Sequence, residues 1–210
     1  LSLLADLEPL VIPECHGVSY PIVQSAIRDA VREFLLETGI WIDALQAINT
    51  EADVTEYALT KPADCEIARL KSVRVGGRLC DPTSEDALDE EHGDQWDQLT
   101  GQPIKYYTRD GGDHISLFRI PTAVQEIKVR AALTISESAT TYPDFLNTKH
   151  KQALAAGAKS KLQFMTGTPW ENPSAALNNA AFFQKAKDSA ATDVFHGMNG
   201  TARRVKARFI

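Results

Sequence analysis

Residues 19–41 read SYPIVQSAIRDAVREFLLETGIW. Val23, Ile27, Val31, Phe34 and Leu35 recur at the spacing of one helix face, and Arg28, Asp29, Arg32 and Glu33 occupy much of the other. Ser19 is a capping residue type. Pro21 is tolerated in a first turn, where its missing N–H costs no hydrogen bond. Gly39 is a natural C-terminal stop. The pattern predicts an amphipathic helix of about five turns. Directly beyond it Ile40, Trp41 and Ile42 are β-prone, so the character of the chain changes abruptly. On the near side, residues 2–7 read as a short helix, with Pro9 and Pro13 as breakers.

Working outward, residues 54–59 continue the β-prone character. Residues 66–75 read as a strand, and Gly76-Gly77 followed by residues 78–80 marks a hairpin. Residues 104–108 and 114–119 flank Asp110-Gly111-Gly112 as a second hairpin. Then Ile127, Val129, Ala131, Leu133 and Ile135 alternate with Lys128, Arg130, Ala132 and Thr134, the period of a half-buried strand. Between the hairpins, residues 81–97 hold eight acidic side chains and no Lys or Arg. With Trp96 and Leu99 as apolar anchors, this stretch reads as a solvated, partly helical excursion. Its carboxylate spacing does not follow a calcium loop.

The last third returns to helix. Leu154, Ala158, Leu162 and Met165 trace one face of a helix from about Thr148. Ala153 and Gly157 place small residues one turn apart, which permits close approach of another backbone. Gly167 and Pro169 sit in a connector. Asn172 caps a final helix with Pro173 at its first position, and Ala176, Ala180, Phe183, Ala190 and Val194 line one face, with Gly197 as its end. Residues 198–210 show no amphipathic period. They carry Arg203, Arg204, Lys206 and Arg208 and end in apolar Phe209-Ile210, which reads as a docking peptide: cations orient it while Val205, Phe209 and Ile210 fill pockets.

Composition bounds the classes. At 210 residues, 43% apolar and 24% charged, the chain has ordinary globular usage and can bury a core without staples. Wholesale disorder, collagen and a disulfide scaffold are excluded. No apolar run approaches a membrane span, and residues 1–10 do not read as a secretory signal. Cys15, Cys65 and Cys80 lack metal or redox spacing and read as buried, reduced thiols of a cytosolic protein. Asn199-Gly200-Thr201 reads as a turn. The charge is uneven. Residues 1–146 carry 25 acids and 12 bases, a net of −13, whereas residues 147–210 carry 3 acids and 10 bases, a net of +7. A basic end on an acidic body points to a partner.

Chemistry-bearing motifs are missing. There is no phosphate-cradling glycine loop, no metal-binding helix of the His-Glu-x-x-His kind and no nucleophile elbow. His16, His92, His114, His150 and His196 are scattered, and Cys15-His16 are neighbours that point apart in an extended segment. Lys149, Lys151, Lys159 and Lys161 read as a solvated face. The basic end lacks the aromatic platforms of single-strand binding. These features imply no catalytic residue, no cofactor and no metal.

The order of elements carries a resemblance. Pro21 through Trp41, including Ala26-Ile27-Arg28-Asp29-Ala30 and Glu33-Phe34, resembles the opening helix of the head-to-tail adaptor proteins of tailed bacteriophages. Gly101-Gln102-Pro103, Tyr106-Tyr107 and Arg119-Ile120-Pro121 resemble their strand region. Ala155-Ala156-Gly157-Ala158 with Leu162, and Pro169-Trp170, resemble their closing helices. The likeness spans about residues 19–195, and residues 81–97 are a departure from it that is not matched to a family feature. It implies a non-enzymatic virion protein made in the host cytoplasm: a homo-oligomeric, dodecameric ring beneath the portal protein that extends the DNA channel and receives the tail nozzle or tail tube protein. Double-stranded DNA would pass without sequence recognition, and no membrane is involved. Portal binding would fall to Arg203, Arg204, Val205, Lys206, Arg208, Phe209 and Ile210. The fold expected is α+β: a mainly α-helical bundle with an inserted antiparallel β-hairpin or sheet region and an extended C-terminal tail. In domain terms, residues 1–197 form a single adaptor domain with its β-rich insertion at about 53–136, and residues 198–210 form the docking tail. The alternatives are a virion-associated peptidoglycan hydrolase and a head-completion or stopper protein.

Overall fold

The helix at residues 20–38 forms as its sequence directs. Val23, Ile27, Val31, Phe34 and Leu35 are all completely buried, and each contributes roughly 1.5–3 kcal/mol by leaving water. Pro21 lies in the first turn, and Ser19 is the N-cap in an extended conformation, although its side chain makes no cap bond. Gly39 ends the helix with φ 57° and ψ 30°, a left-handed conformation that costs glycine nothing. Its N–H donates to the Leu35 carbonyl at 2.9 Å.

The computed structural model describes residues 1–109 and 112–196. In chain order the elements are β1 (Ser2–Leu3), α1 (Glu8–Val11), α2 (Tyr20–Thr38), β2 (Ile42–Ala44), β3 (Ile48–Asn49), β4 (Glu56–Ala58), β5 (Cys65–Val75), β6 (Arg78–Pro82), α3 (Glu85–His92), β7 (Lys105–Arg109), β8 (His114–Phe118), β9 (Glu126–Ile135), β10 (Thr141–Tyr142), α4 (Asp144–Lys149), α5 (Lys151–Gln163) and α6 (Pro173–Phe195). Short 3-10 helices occupy Leu4–Leu7, Ile12–Glu14 and Gly93–Gln98. The chain divides into two compact units: Leu1–Ile40 with the described residues from Ile135 onward, and Trp41–Thr134.

This corrects the expected mainly helical bundle. The fold is mixed, 45% helical and 26% strand, and its strands form a curled sheet that is a major part of the fold rather than an insertion into a helical bundle. The reason is non-local pairing. In the second unit the strands run in the order β2-β9-β5-β6-β7-β8-β4, with β3 also pairing β9. Those strands enclose a core of their own, including Tyr57, Val73, Val75, Ile115, Leu117, Ile127, Val129 and Leu133. Short segments such as β2, β3 and β4 carry little periodicity alone but complete the sheet.

Gly76-Gly77 turns the β5–β6 hairpin, with φ of 57° and 81°, the left-handed pair that a two-residue turn demands. Alternation along β9 holds only to Ala131; from there Ala131 through Ile135 are all buried, so its end is covered on both faces. β6 and β7 are parallel, Asp81 opposite Lys105 and Pro82 opposite Tyr106. Parallel neighbours need a crossover, and the acidic stretch supplies it. Ser84 caps α3 by accepting from the Ala87 N–H at 3.3 Å. Leu88 is completely buried against Tyr107 and Phe118, with Trp96 packed beside them. Glu85 pairs with Arg109 and Glu91 with Lys105, so β7 supplies cations to the crossover above it.

In the first unit α2, α5 and α6 pack together, with α1 and the N-terminal 3-10 turn against them. Pro9 and Pro13 break nothing: each lies in the first turn of a short helical element, where proline fits. The penultimate helix is also split. α4 ends at Lys149, His150 has ψ 9°, and α5 begins at Lys151. Asn172 caps α6 as expected, accepting from the Ala175 N–H at 3.1 Å. The helix ends at Phe195, and Gly197 lies outside the described residues.

Candidate assembly surface

The polar face of α2 is a working surface rather than a solvated one. Arg28 Nε donates to the Ala139 carbonyl at 2.9 Å and Arg32 to the Ile135 carbonyl at 2.8 Å, tying down the chain on either side of Glu137. Glu33 and Glu37 stand one turn apart and point at α6. Lys187 Nζ donates to Glu33 at 2.6 Å and to Glu37 at 2.9 Å, while Lys161 Nζ reaches the other Glu33 oxygen at 2.7 Å. The Lys187 side chain is only 5% exposed, so its charge depends on these partners.

The electrostatics follow from the geometry. Burial works against both charges, but the hydrogen bonds outweigh it. Glu33 is therefore held below its ordinary carboxylate range by Lys161 and Lys187, and Lys187 is held above its ordinary range by Glu33 and Glu37. Lys187 also lies over the Phe183 ring, 4.8 Å from its centre. Lys159 pairs with Glu14 at 2.7 Å. The expected solvated lysine face is thus corrected for Lys159 and Lys161: both neutralise acids from earlier helices.

Beside this network runs a groove of about 270 Å³, lined by Pro21, Ile22, Ala26 and Met165 on its apolar side and by Asp29 and Lys161 on its polar side. Ile22, Met165 and Phe164 remain partly exposed around it, and α6 exposes Leu177, Phe182 and Phe195. In the second unit, two phrases noted in the sequence meet. The Gly101 N–H donates to the Ile120 carbonyl at 2.9 Å, and the Ile120 N–H to the Leu99 carbonyl at 2.8 Å. Gln102 and Gln125 exchange hydrogen bonds through their amides at 2.8 and 2.7 Å.

No group of His, Cys, Asp and Glu able to hold a metal occurs among the described residues. The thiols of Cys15, Cys65 and Cys80 are free and buried, and burial pushes all three up, away from thiolate. His150 packs on Phe34 and His92 stacks on Phe118, so each is engaged where it lies. No helix among the described residues is long and apolar enough to cross a membrane.

The residues expected to bind a portal, Arg203, Arg204, Val205, Lys206, Arg208, Phe209 and Ile210, lie outside the described residues. Lys187 was not singled out in the sequence, yet a signal existed. It continues the 4-3-4-3 stripe of Ala176, Ala180, Phe183, Ala190 and Val194, where a charge needs a partner. Glu33 and Glu37, spaced one turn apart on α2, are the matching pair.

A family model described as SU10 adaptor protein matches residues 3–207. Among curated proteins, no match was found.

Proposed function

The chain belongs to the SU10 adaptor protein family, whose members are structural adaptors of phage particles, and from that premise we propose that it works as the head-to-tail adaptor of a tailed bacteriophage. Copies assemble into a ring beneath the portal, dodecameric in form. The ring extends the path of double-stranded DNA and offers its far side to the tail nozzle or tail tube. Residues 1–197 form the ring subunit and residues 198–210 the portal-docking tail. The work is assembly rather than catalysis.

The observation that carries this role is the family match across residues 3–207. Physical features support it. A ring needs a heterologous interface that closes on itself, and the Ile22–Met165 groove together with the exposed apolar residues of α6 gives apolar surface for one. The net charge of −13 over residues 1–146 suits a channel wall that must not hold phosphate. Immunogold labelling of purified virions tests the assignment. Label is expected at the head–tail junction; label spread over the capsid, or found only on tail fibres, contradicts it.

A further inference from the structure

α2 and the end of α5 border two adjoining hollows that share Asp29 and Lys161. The first, of about 270 Å³, is the groove with Ile22 and Met165 on its apolar side. The second, of about 300 Å³, continues past Glu33 to Glu37. The lining positions of α2 recur three and four apart, so one stripe of the helix floors the whole track. From Pro21 to Glu37 that track runs about 24 Å. It is apolar at Ile22 and Met165 and acidic at Glu33 and Glu37, with Asp29 between. The acids differ in their engagement. Glu33 is shared by Lys161 and Lys187, and Glu37 also holds Lys187. Arg32, on the same stripe, donates to the Ile135 carbonyl. Asp29 is exposed, lines both hollows and has no hydrogen bond or ion pair among the described residues.

The course of the chain supplies the occupant. α6 passes the apolar end first, where Asn179 donates to the Gln163 side chain of α5 at 2.9 Å, and reaches Glu33 and Glu37 with Lys187. Phe195 ends the helix about 12 Å further along its axis. Residues 197–210 follow and lie outside the described residues. Residues 196–202 can span up to about 24 Å, about twice what a return to Glu37 requires. The segment beyond them, RRVKARFI at residues 203–210, spans about 26 Å when extended, the length of the track. It carries four cations and no acid. Running back along the groove, it brings Arg203, Arg204 and Lys206 to the acidic end and Asp29. Phe209 and Ile210 then meet the apolar end.

We propose that this groove receives residues 203–210 of its own chain in the free subunit. So placed, the segment covers apolar surface assigned above to ring contact and keeps free subunits apart. That consequence rests on the adaptor reading; the contact itself does not.

The test uses the full chain, alone and dilute, with a photoreactive benzophenone side chain at position 209, and maps the crosslinks by peptide mass spectrometry. Crosslinks are expected within one chain, to residues 21–26 or 161–165. Trypsin cleavage after Arg203 and Arg204 of the unmodified chain gives a reading without the bulky label. Asp29→Lys should lower the crosslink yield and speed the cleavage, each about fivefold, while Asp29→Glu stays close to the parent. Both variants alter an exposed side chain, and an unchanged Tm checks that they fold. No crosslink, crosslinks elsewhere on the chain, crosslinks between chains that grow with concentration, or unchanged cleavage in Asp29→Lys overturns the proposal.

Discussion

Gly157 on α5 lies directly against the ring of Phe183 on α6: a β-carbon at position 157 would come within 3.0 Å of three ring carbons. The small-residue stripe of α5 admits an aromatic ring rather than another backbone. Phe183 has little room to yield, being 4% exposed, flanked by Phe34 and covered by Lys187. Gly157→Ala gains about 1 kcal/mol of helix propensity and loses about 1–3 kcal/mol to overpacking. A net destabilisation of about 1 kcal/mol is expected in denaturant unfolding. In a Phe183→Leu background the same substitution should be neutral or stabilising. A stabilised single variant would mean that the ring moves freely.

The Lys187 network predicts an order of damage. Removing both acids, Glu33→Gln with Glu37→Gln, strands a buried ammonium and should cost about 3–5 kcal/mol. Lys187→Met leaves two carboxylates that reach solvent, with Lys161 still beside Glu33, and should cost clearly less. Equilibrium unfolding of the two variants checks this; the opposite order would place the main penalty on the acids.

Protonation gives a second handle on the same network. Glu33 is held below its ordinary 4.5, so its contribution is complete above that value and lost as pH falls through the folded value. Lys187 is held above its ordinary 10.5, so its contribution is complete below that value and lost as pH rises through the folded value. The parent-minus-variant difference in Tm should be level between these limits. For Glu33→Gln it should shrink on the acid side, and for Lys187→Met on the alkaline side. A difference that stays constant from pH 3 to pH 7 in Glu33→Gln would rule out the depressed carboxyl.

How much of this was legible beforehand depended on how local each feature is. α2 was readable from Ser19 to Gly39 because its face, cap and stop all lie within its own residues. So were the Gly76-Gly77 hairpin and the Asn172 cap. The sheet was not, because β2, β3 and β4 have three residues or fewer and gain meaning only against β8 and β9. The acidic stretch looked like an excursion because the parallel β6–β7 pair that it bridges leaves no local mark. Lys187 drew no notice because its acids lie 150 and 154 residues away, although its place in the apolar stripe of α6 was a local signal.

The docking role proposed for residues 198–210 predicts a separation of folding from attachment. Deleting residues 202–210 should leave the body folded and abolish stable portal attachment in co-sedimentation. If apolar burial dominates, Phe209→Asp with Ile210→Asp should weaken attachment more than Arg208→Gln. The reverse order would make electrostatics the main term, and normal attachment of the truncated chain would remove the tail from the interface.

The most direct measurement is the native mass of the purified full-length chain, alone and after mixing with its portal assembly. A portal-bound ring containing many copies of the chain is the expected result. A chain that stays free of the portal at every concentration tested, or binds it as a single copy, would contradict the adaptor assignment.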